Sequence, residues 1–436
     1  MKKIILQPIV FILFSTYLFA QLPIVEVSLD RDDWLYQTGD SASFGVAVSG
    51  SLDSSLQNTA INYELSHDMM EPFLKGSVHL KNGFIRLGKV SMKEPGFLRC
   101  KVDLMYHEKL YEGVATAAFS PEKIVPTTPM PEDFADFWEM EMERIAAIPL
   151  NSTMRLLEDK CTAKTNVYEV SFQNDRSGSK IYGILCVPKN SGQYPVLMRL
   201  PYAGVYQQKI DLKNAEEKGI ITLVIGIHGI PETLDSEIYK DLAAGPLTTY
   251  GSFGWYHRDA VYYKRAYLGC KRAIDFIFTL DQFDKENIVV WGGSQGGALS
   301  IITGALDKRV KGIVTSKPSL CDMTGYLHGR AGGPPRIFMD EHNTPEMKIE
   351  KAKVSPYFDV VNFSKIIQCP VFLTLGYNDI TCPPTSIYAS YNVINSEKGI
   401  KAFKQINHFQ NPPELQEAQD KAIDQFLNLK IKFRKE

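Results

Sequence analysis

Short runs in which apolar and polar residues alternate dominate the first part of the chain. IVEVSLD, ASFGVAVSG, INYELSH, GFIRLGKVS, FLRCKVDLMY and GVATAAFS all fall within residues 21–120. A two-residue period sends successive side chains to opposite faces, so each run predicts a half-buried strand; the Gly, Asp, Asn and Ser clusters between them predict turns. No helical period interrupts this rhythm. The spacing predicts a small immunoglobulin-like β-sandwich over residues 21–120. It carries no catalytic constellation and reads as a spacer or packing module rather than a sugar-binding one.

After residue 120 the rhythm changes. Prolines at 121, 126, 129 and 131 cannot extend a sheet, which makes residues 121–131 a linker. Pro131-Glu132-Asp133 then opens an amphipathic helix through FADFWEMEMERIAAI. Further on, VYEVSF and KIYGILCVP predict a hairpin. YPVLMRLP, GIITLVIGI, NIVVWGG, VKGIVTS and CPVFLTLG are short and apolar, as buried parallel strands require. Helical patterns such as YYKRAYLGCKRAIDFIFTL lie between them. Strand–helix alternation of this length predicts a doubly wound, mostly parallel α/β sheet over residues 132–436.

The N-terminus, MKKIILQPIVFILFSTYLFAQLP, fits neither rhythm. Two lysines followed by an apolar run ending at Ala20 have the layout of a secretory signal peptide over residues 1–20, cleaved near Ala20, and imply a periplasmic or secreted protein. Gln7, Pro8 and the shortness of the run argue against a retained anchor, and no other segment is apolar and long enough, so no stable membrane span is expected once the leader is removed. With 48 basic and 50 acidic residues the chain offers no basic face to nucleic acid. Its seven cysteines are scattered without C-x-x-C pairs or metal-ligand spacing, so zinc is not indicated. Their odd number leaves at least one unpaired, and Cys186 in YGILCVP reads as a small core residue.

Candidate chemistry sits in VVWGGSQGGALS, residues 289–300. Strand NIVVW, then Gly292-Gly293-Ser294-Gln295-Gly296, then a helix is the strand–turn–helix context in which G-x-S-x-G presents a nucleophilic serine. Residues without side chains let strand and helix approach and let Ser294 protrude. In this fold the acid and the histidine follow the serine along the chain. Asp379 stands just past the buried strand of CPVFLTLGYNDITCPP; its rival, Asp359 in SPYFDVVN, has no strand before it. Of the histidines after Ser294, His328 and His342 precede the Asp379 strand, and only His408, between KAFKQIN and the last helix, has the right order. The backbone N–H of Gln295 is the expected oxyanion donor, joined by that of Tyr202 in PYAGV after an earlier strand. His228-Gly229 in IGIHGIPE is an alternative, HGGG-like oxyanion loop, but it follows the next strand and is placed beside the site. The aromatics of residues 249–263 suit either a sugar platform or packing against the sheet.

GGSQGGALS, preceded by RAIDFIFTLDQFDKENIVVW and followed by PSLCDM and SPYFDVVNFSKIIQCPVFLTLGYNDITCPPTSIYASYNVI, resembles the acetyl xylan esterase and cephalosporin-C deacetylase family, carbohydrate esterase family seven. PEDFADFW is similar to the opening of that domain. The resemblance implies an α/β-hydrolase fold, Ser294, Asp379 and His408 as catalytic residues, and the amides of Tyr202 and Gln295 as oxyanion donors. It implies removal of acetyl groups from small acetylated saccharides or acetyl esters without metal or cofactor. The family's Arg-Gly-Gln is replaced by His228-Gly229-Ile230, and the glutamate usual after its histidine by Phe409. Both departures bear on substrate range. The extra N-terminal module and the leader argue against the family's intracellular hexamer, leaving a homo-oligomer of another kind open. Two further readings are a catalytically silent carbohydrate-binding or scaffold protein, opposed by the intact serine, aspartate and histidine, and a prolyl-oligopeptidase-like peptidase. The latter usually carries a large propeller that about 100 residues cannot form.

Overall fold

The computed structural model describes residues 22–50 and 54–428. The expected signal peptide lies outside them. Among the described residues no helix is long and apolar enough to cross a membrane.

Nine strands form the main sheet: β1 (Thr153–Leu156), β2 (Thr165–Gln173), β3 (Lys180–Pro188), β4 (Tyr194–Leu200), β5 (Ile221–Ile225), β6 (Phe283–Gly293), β7 (Gly312–Ser316), β8 (Val371–Gly376) and β9 (Lys398–Phe403). Their spatial order is β1-β2-β3-β5-β4-β6-β7-β8-β9. The expected hairpin is β2–β3; pairing is antiparallel as far as β5 and parallel from β5 to β9. This is the mostly parallel sheet of an α/β hydrolase.

Period-two alternation divides the apolar side chains between the two faces. Val196, Met198, Ile288 and Val290 pack on one side with helices Phe134–Ala146, Tyr262–Ile277 and Gln295–Leu306. Leu197, Val289, Trp291 and Val314 pack on the other with helix Pro413–Phe426. Each such side chain contributes roughly 1.5–3 kcal/mol by leaving water. The chain leaves β4 to one side through β5 and returns to the other through β6. At such a switch point the C-terminal strand ends open a crevice.

The N-terminal part is all-β. Ile24–Leu29, Phe44–Ser49 and Phe84–Arg86 form one sheet; Leu35–Tyr36, Lys109–Phe119, Gly96–Tyr106, Ala60–His67 and Pro72–His79 form another. Phe44 and Val46 of the first share a core with Phe97, Val102 and Ala115 of the second. That core does not stop at residue 120. It runs on into Leu373 and Leu375 of β8 and Ile387 and Tyr388 of helix Pro384–Asn392, with the Phe97 and Tyr377 rings edge to face at 5.1 Å. Residues 96–100 and 115–119 are accordingly buried at every position, because their second face lies against the α/β part. Arg99 crosses this junction. It pairs with Asp68 at 2.8 Å and reaches the carbonyls of Asn378 and Asp379, while Asp68 also accepts from the amide and hydroxyl of Thr385.

The proline-rich stretch between the two parts is docked along its length. Thr127 and Thr128 donate their amides to Asp322, and Thr128 Oγ1 bonds Asp359 at 3.0 Å. All seven cysteines are unpaired and five are buried.

Candidate active site

Ser294 sits at the hairpin-tight step between β6 and its following helix with φ 53° and ψ −120°. A non-glycine residue in such a region costs on the order of 1–3 kcal/mol and persists only where its surroundings over-determine it. They do so here. Ser294 N–H donates to Ser316 O at 2.8 Å, and Ser294 O accepts from the amides of Ala298 and Ser319. Glycine is obligatory on both sides. A Cβ on Gly292 would lie 2.3 Å from Gly296 C, and one on Gly296 would lie 2.3 Å from Leu200 O.

His408 Nε2 lies 3.1 Å from Ser294 Oγ, and its Nδ1 lies 2.8 Å from Asp379 Oδ2. Asp379 is fully buried; its Oδ1 accepts from the amides of Thr381 and Cys382 at 2.8 Å each. The three residues picked out by chain order therefore form one hydrogen-bonded relay, fit to move a proton from the serine hydroxyl to a buttressed imidazole. Asp359 is elsewhere. It caps helix Val360–Ser364 and accepts from the amides of Asp322, Met323 and Val361. His328 and His342 are exposed and outside the relay.

One group that the sequence reading passed over holds the histidine loop. Lys317, just past β7 and 3% exposed, donates from Nζ to the carbonyls of Asn407, His408 and Gln410 and to Asn411 Oδ1, at 2.8–3.2 Å. Burial holds its pKa below the usual lysine value, opposed by the nearby Asp379 carboxylate. Lys317→Met is expected to lower kcat about 10²-fold with KM little changed, because a small displacement of the imidazole spoils proton transfer without touching the ester. Steady-state kinetics on p-nitrophenyl acetate would check this; a change confined to KM would refute it.

Strands β4 and β6 pair in register, Leu200 beside Gly292, which brings the Tyr202 loop next to Ser294. Among the described residues no protein acceptor is found for the N–H of Tyr202 or of Gln295. The Gln295 side chain organises this loop. Its Nε2 donates to Tyr202 O at 3.2 Å and Pro201 O at 3.4 Å, and its Oε1 accepts from Tyr250 and Tyr263. Tyr250 Oη in turn accepts from the Gly204 amide, and His228 Nε2 lies 2.9 Å from Gly204 O. Burial lowers the His228 pKa, which favours the neutral ring. His228 thus braces the loop from behind. The aromatic stretch 249–263 mostly packs, with Trp255, Tyr263 and Tyr250 buried.

Glu232 anchors the far end of the same loop by accepting from the Gln208 amide at 2.8 Å. Burial pushes its carboxyl up to about 7 from 4.5, against that hydrogen bond. Between those values the folded chain holds a proton that the unfolded chain has lost. The resulting stabilisation is complete below the lower value and disappears as pH rises through the upper one. Over that window the group's contribution should fall by about 3 kcal/mol, and Glu232→Gln should remove the trend. Urea unfolding of both proteins across the range would check it, and parallel pH profiles would refute it.

A cavity of about 470 Å³ opens over Ser294, lined among others by Tyr202, Trp291, His408 and Phe409. On the buried side Cys382 Sγ lies 3.9 Å from the serine oxygen.

Residues 122–428 match the acetyl xylan esterase (AXE1) family. The acetyl esterase Axe7A of Xylanibacter ruminicola is 38% identical over 395 residues, covering 88% of this chain and 85% of that protein. This share is larger than the family match alone could fill, so the likeness reaches into the N-terminal β part. Among solved structures, the acetyl xylan esterase from Paenibacillus sp. R4 superposes with a TM-score of 0.61 at 25% identity, over 70% of this chain and 98% of its own. Acetyl xylan esterase 1 from Thermoanaerobacterium sp. JW/SL YS485 shares the fold at 20% identity, with a TM-score of 0.57 over 70% of this chain and 97% of its own.

Proposed function

The chain belongs to the acetyl xylan esterase family and is a carboxylic ester hydrolase; from that premise we propose that it removes acetyl groups from acetylated saccharides by a Ser294–His408–Asp379 triad. The observation that carries this reading is the unbroken hydrogen-bond chain from Asp379 through His408 to Ser294 Oγ. Ser294 Oγ attacks the acetyl carbonyl while His408 Nε2 takes its proton, and Asp379 holds the tautomer and stabilises the imidazolium. The carbonyl oxygen, now negative, is received by the N–H groups of Tyr202 and Gln295. Collapse expels the sugar oxygen, which takes the proton back from His408. Water, activated by the same imidazole, then attacks the acetyl-serine and releases acetate and free Ser294. Cys382 Sγ close beside the serine oxygen supports a preference for short acyl groups.

The same reading makes residues 1–20 a leader and the enzyme periplasmic or secreted, where acetylated oligosaccharides arrive. It takes residues 21–120 as an immunoglobulin-like domain and residues 132–436 as the catalytic one.

The test is acetate release from acetylated xylo-oligosaccharides by the mature protein beside Ser294→Ala, with p-nitrophenyl acetate and butyrate in parallel. Release that is lost in the variant, with butyrate barely turned over, is the expected result. Turnover of p-nitrophenyl acetate without release from any acetylated saccharide would keep the ester chemistry and remove the substrate class.

A further inference from the structure

A second cavity, about 460 Å³, adjoins the one over Ser294 and shares Thr381, His408 and Phe409 with it. One of its walls is the loop carrying Asp379. The opposite wall is the N-terminal β part, through Arg99, Lys101, Glu112 and Val114 of strands Gly96–Tyr106 and Lys109–Phe119. From this juxtaposition we infer that the cleft between the N-terminal β part and the acid loop is a saccharide subsite. It would hold sugar units beyond the acetylated one, with Phe409 as its stacking platform. The inference rests on the deacetylase reading above and adds the length of saccharide that the enzyme prefers.

The direction of the reaction fixes what lies in this cleft. His408 must protonate the departing oxygen, so the alcohol half of the ester lies on the His408 side of Ser294. The cleft opens at His408, and a chain attached to that alcohol continues into it. Phe409 stands at the junction, 82% exposed, its ring 5.3 Å from the imidazole and nearly perpendicular to it at 88°. Its amide donates to Asn407 Oδ1, which ties its backbone into the loop that Lys317 clamps. A phenyl face held open to water beside a reacting group suits the C–H face of a pyranose, which its π-cloud attracts. Ile380, 52% exposed, adds apolar surface on the same cleft.

The facing wall supplies polar groups. Lys101 Nζ lies between two carboxylates, Glu112 at 2.5 Å and Asp103 at 3.3 Å, which puts a donor among acceptors on this wall. A sugar hydroxyl can accept from the ammonium group and donate to a carboxylate there. Arg99 is 7% exposed, and its Nε–H has no protein partner although Nη1 and Nη2 are engaged. Lys101 and Glu112 come from a part of the chain outside the matched family residues, whereas Phe409 lies within them. The subsite therefore belongs to the combination of the two parts.

The experiment compares kcat/KM for acetate release from a monoacetylated methyl xyloside and from monoacetylated xylotetraose, for wild type, Phe409→Ala and the double variant Lys101→Ala/Glu112→Ala. These side chains are exposed or half-exposed, so folding is not at stake. The ratio of the two substrates cancels any general change in the chemistry. Wild type is expected to favour the tetraose about ten-fold, and each variant to lose roughly five- to ten-fold of that preference, the worth of one stacked face or one polar pair. A wild-type ratio near one, or a ratio unmoved in both variants, would overturn the subsite while leaving the deacetylase intact. Turnover of p-nitrophenyl acetate with no release from either saccharide would overturn the deacetylase reading, and the subsite with it.

Discussion

Ser294→Ala should abolish nearly all ester turnover, on the order of 10⁶-fold in kcat. Alanine removes only the hydroxyl oxygen, the proposed nucleophile. The turn that carries it stays, because its backbone is held by Ser316, Ala298 and Ser319 and not by the serine hydroxyl. Thermal stability should therefore hardly change. What remains of catalysis comes from oriented amides and binding alone. Rapid mixing with p-nitrophenyl acetate would show the loss most directly, since wild type should release a burst of nitrophenol equal to the enzyme present as the acetyl-serine forms. A variant that kept the burst would remove Ser294 from the mechanism.

Asp379→Asn should cost on the order of 10⁴-fold at neutral pH while leaving the fold in place. The amide oxygen can still accept from the amides of Thr381 and Cys382, which leaves the NH₂ group facing His408 Nδ1. That nitrogen would then have to accept, moving the ring proton to Nε2, where it blocks uptake of the serine proton. Asp359→Asn provides the contrast. Asp359, its carboxyl raised to about 7 mainly by burial with the Asp322 charge adding to it, serves three amides and a threonine hydroxyl. Its loss should appear in the melting temperature and only within a few-fold in kcat. Were Asp359→Asn the more damaging change to kcat, the acid assignment would be wrong.

The parts of the site written in local sterics were the legible ones. Gly292 and Gly296 can be read as a pair because strand and helix must touch there, and Asp379 could be chosen over Asp359 because a side chain just past a buried strand faces the crevice. Chain order then left only His408. Groups acting across the sequence had no such mark. Lys317 looks like any lysine at a strand end until the loop 90 residues later folds onto its ammonium group. Arg99 reads as an alternating strand residue, and its acceptors on the acid loop lie 279 and 280 positions away. Composition was equally mute for residues 249–263, since an aromatic cluster has one appearance whether it meets sugar or, as with Trp255 and Tyr263, the core. The proline-rich stretch was read as a connector, and nothing local announces that Thr127 and Thr128 fasten it to Asp322.

The Arg99 crossing also bears on how the chain is expected to fold. Contacts between the first hundred residues and the acid loop are among the most distant in the chain, and loop closure over such separations comes late in folding. The N-terminal β part can gather its own core as soon as it exists. Asp379, in contrast, reaches a finished environment only when the final third of the chain has docked against Arg99 and Phe97. Docking of the two parts is therefore expected among the later steps of folding.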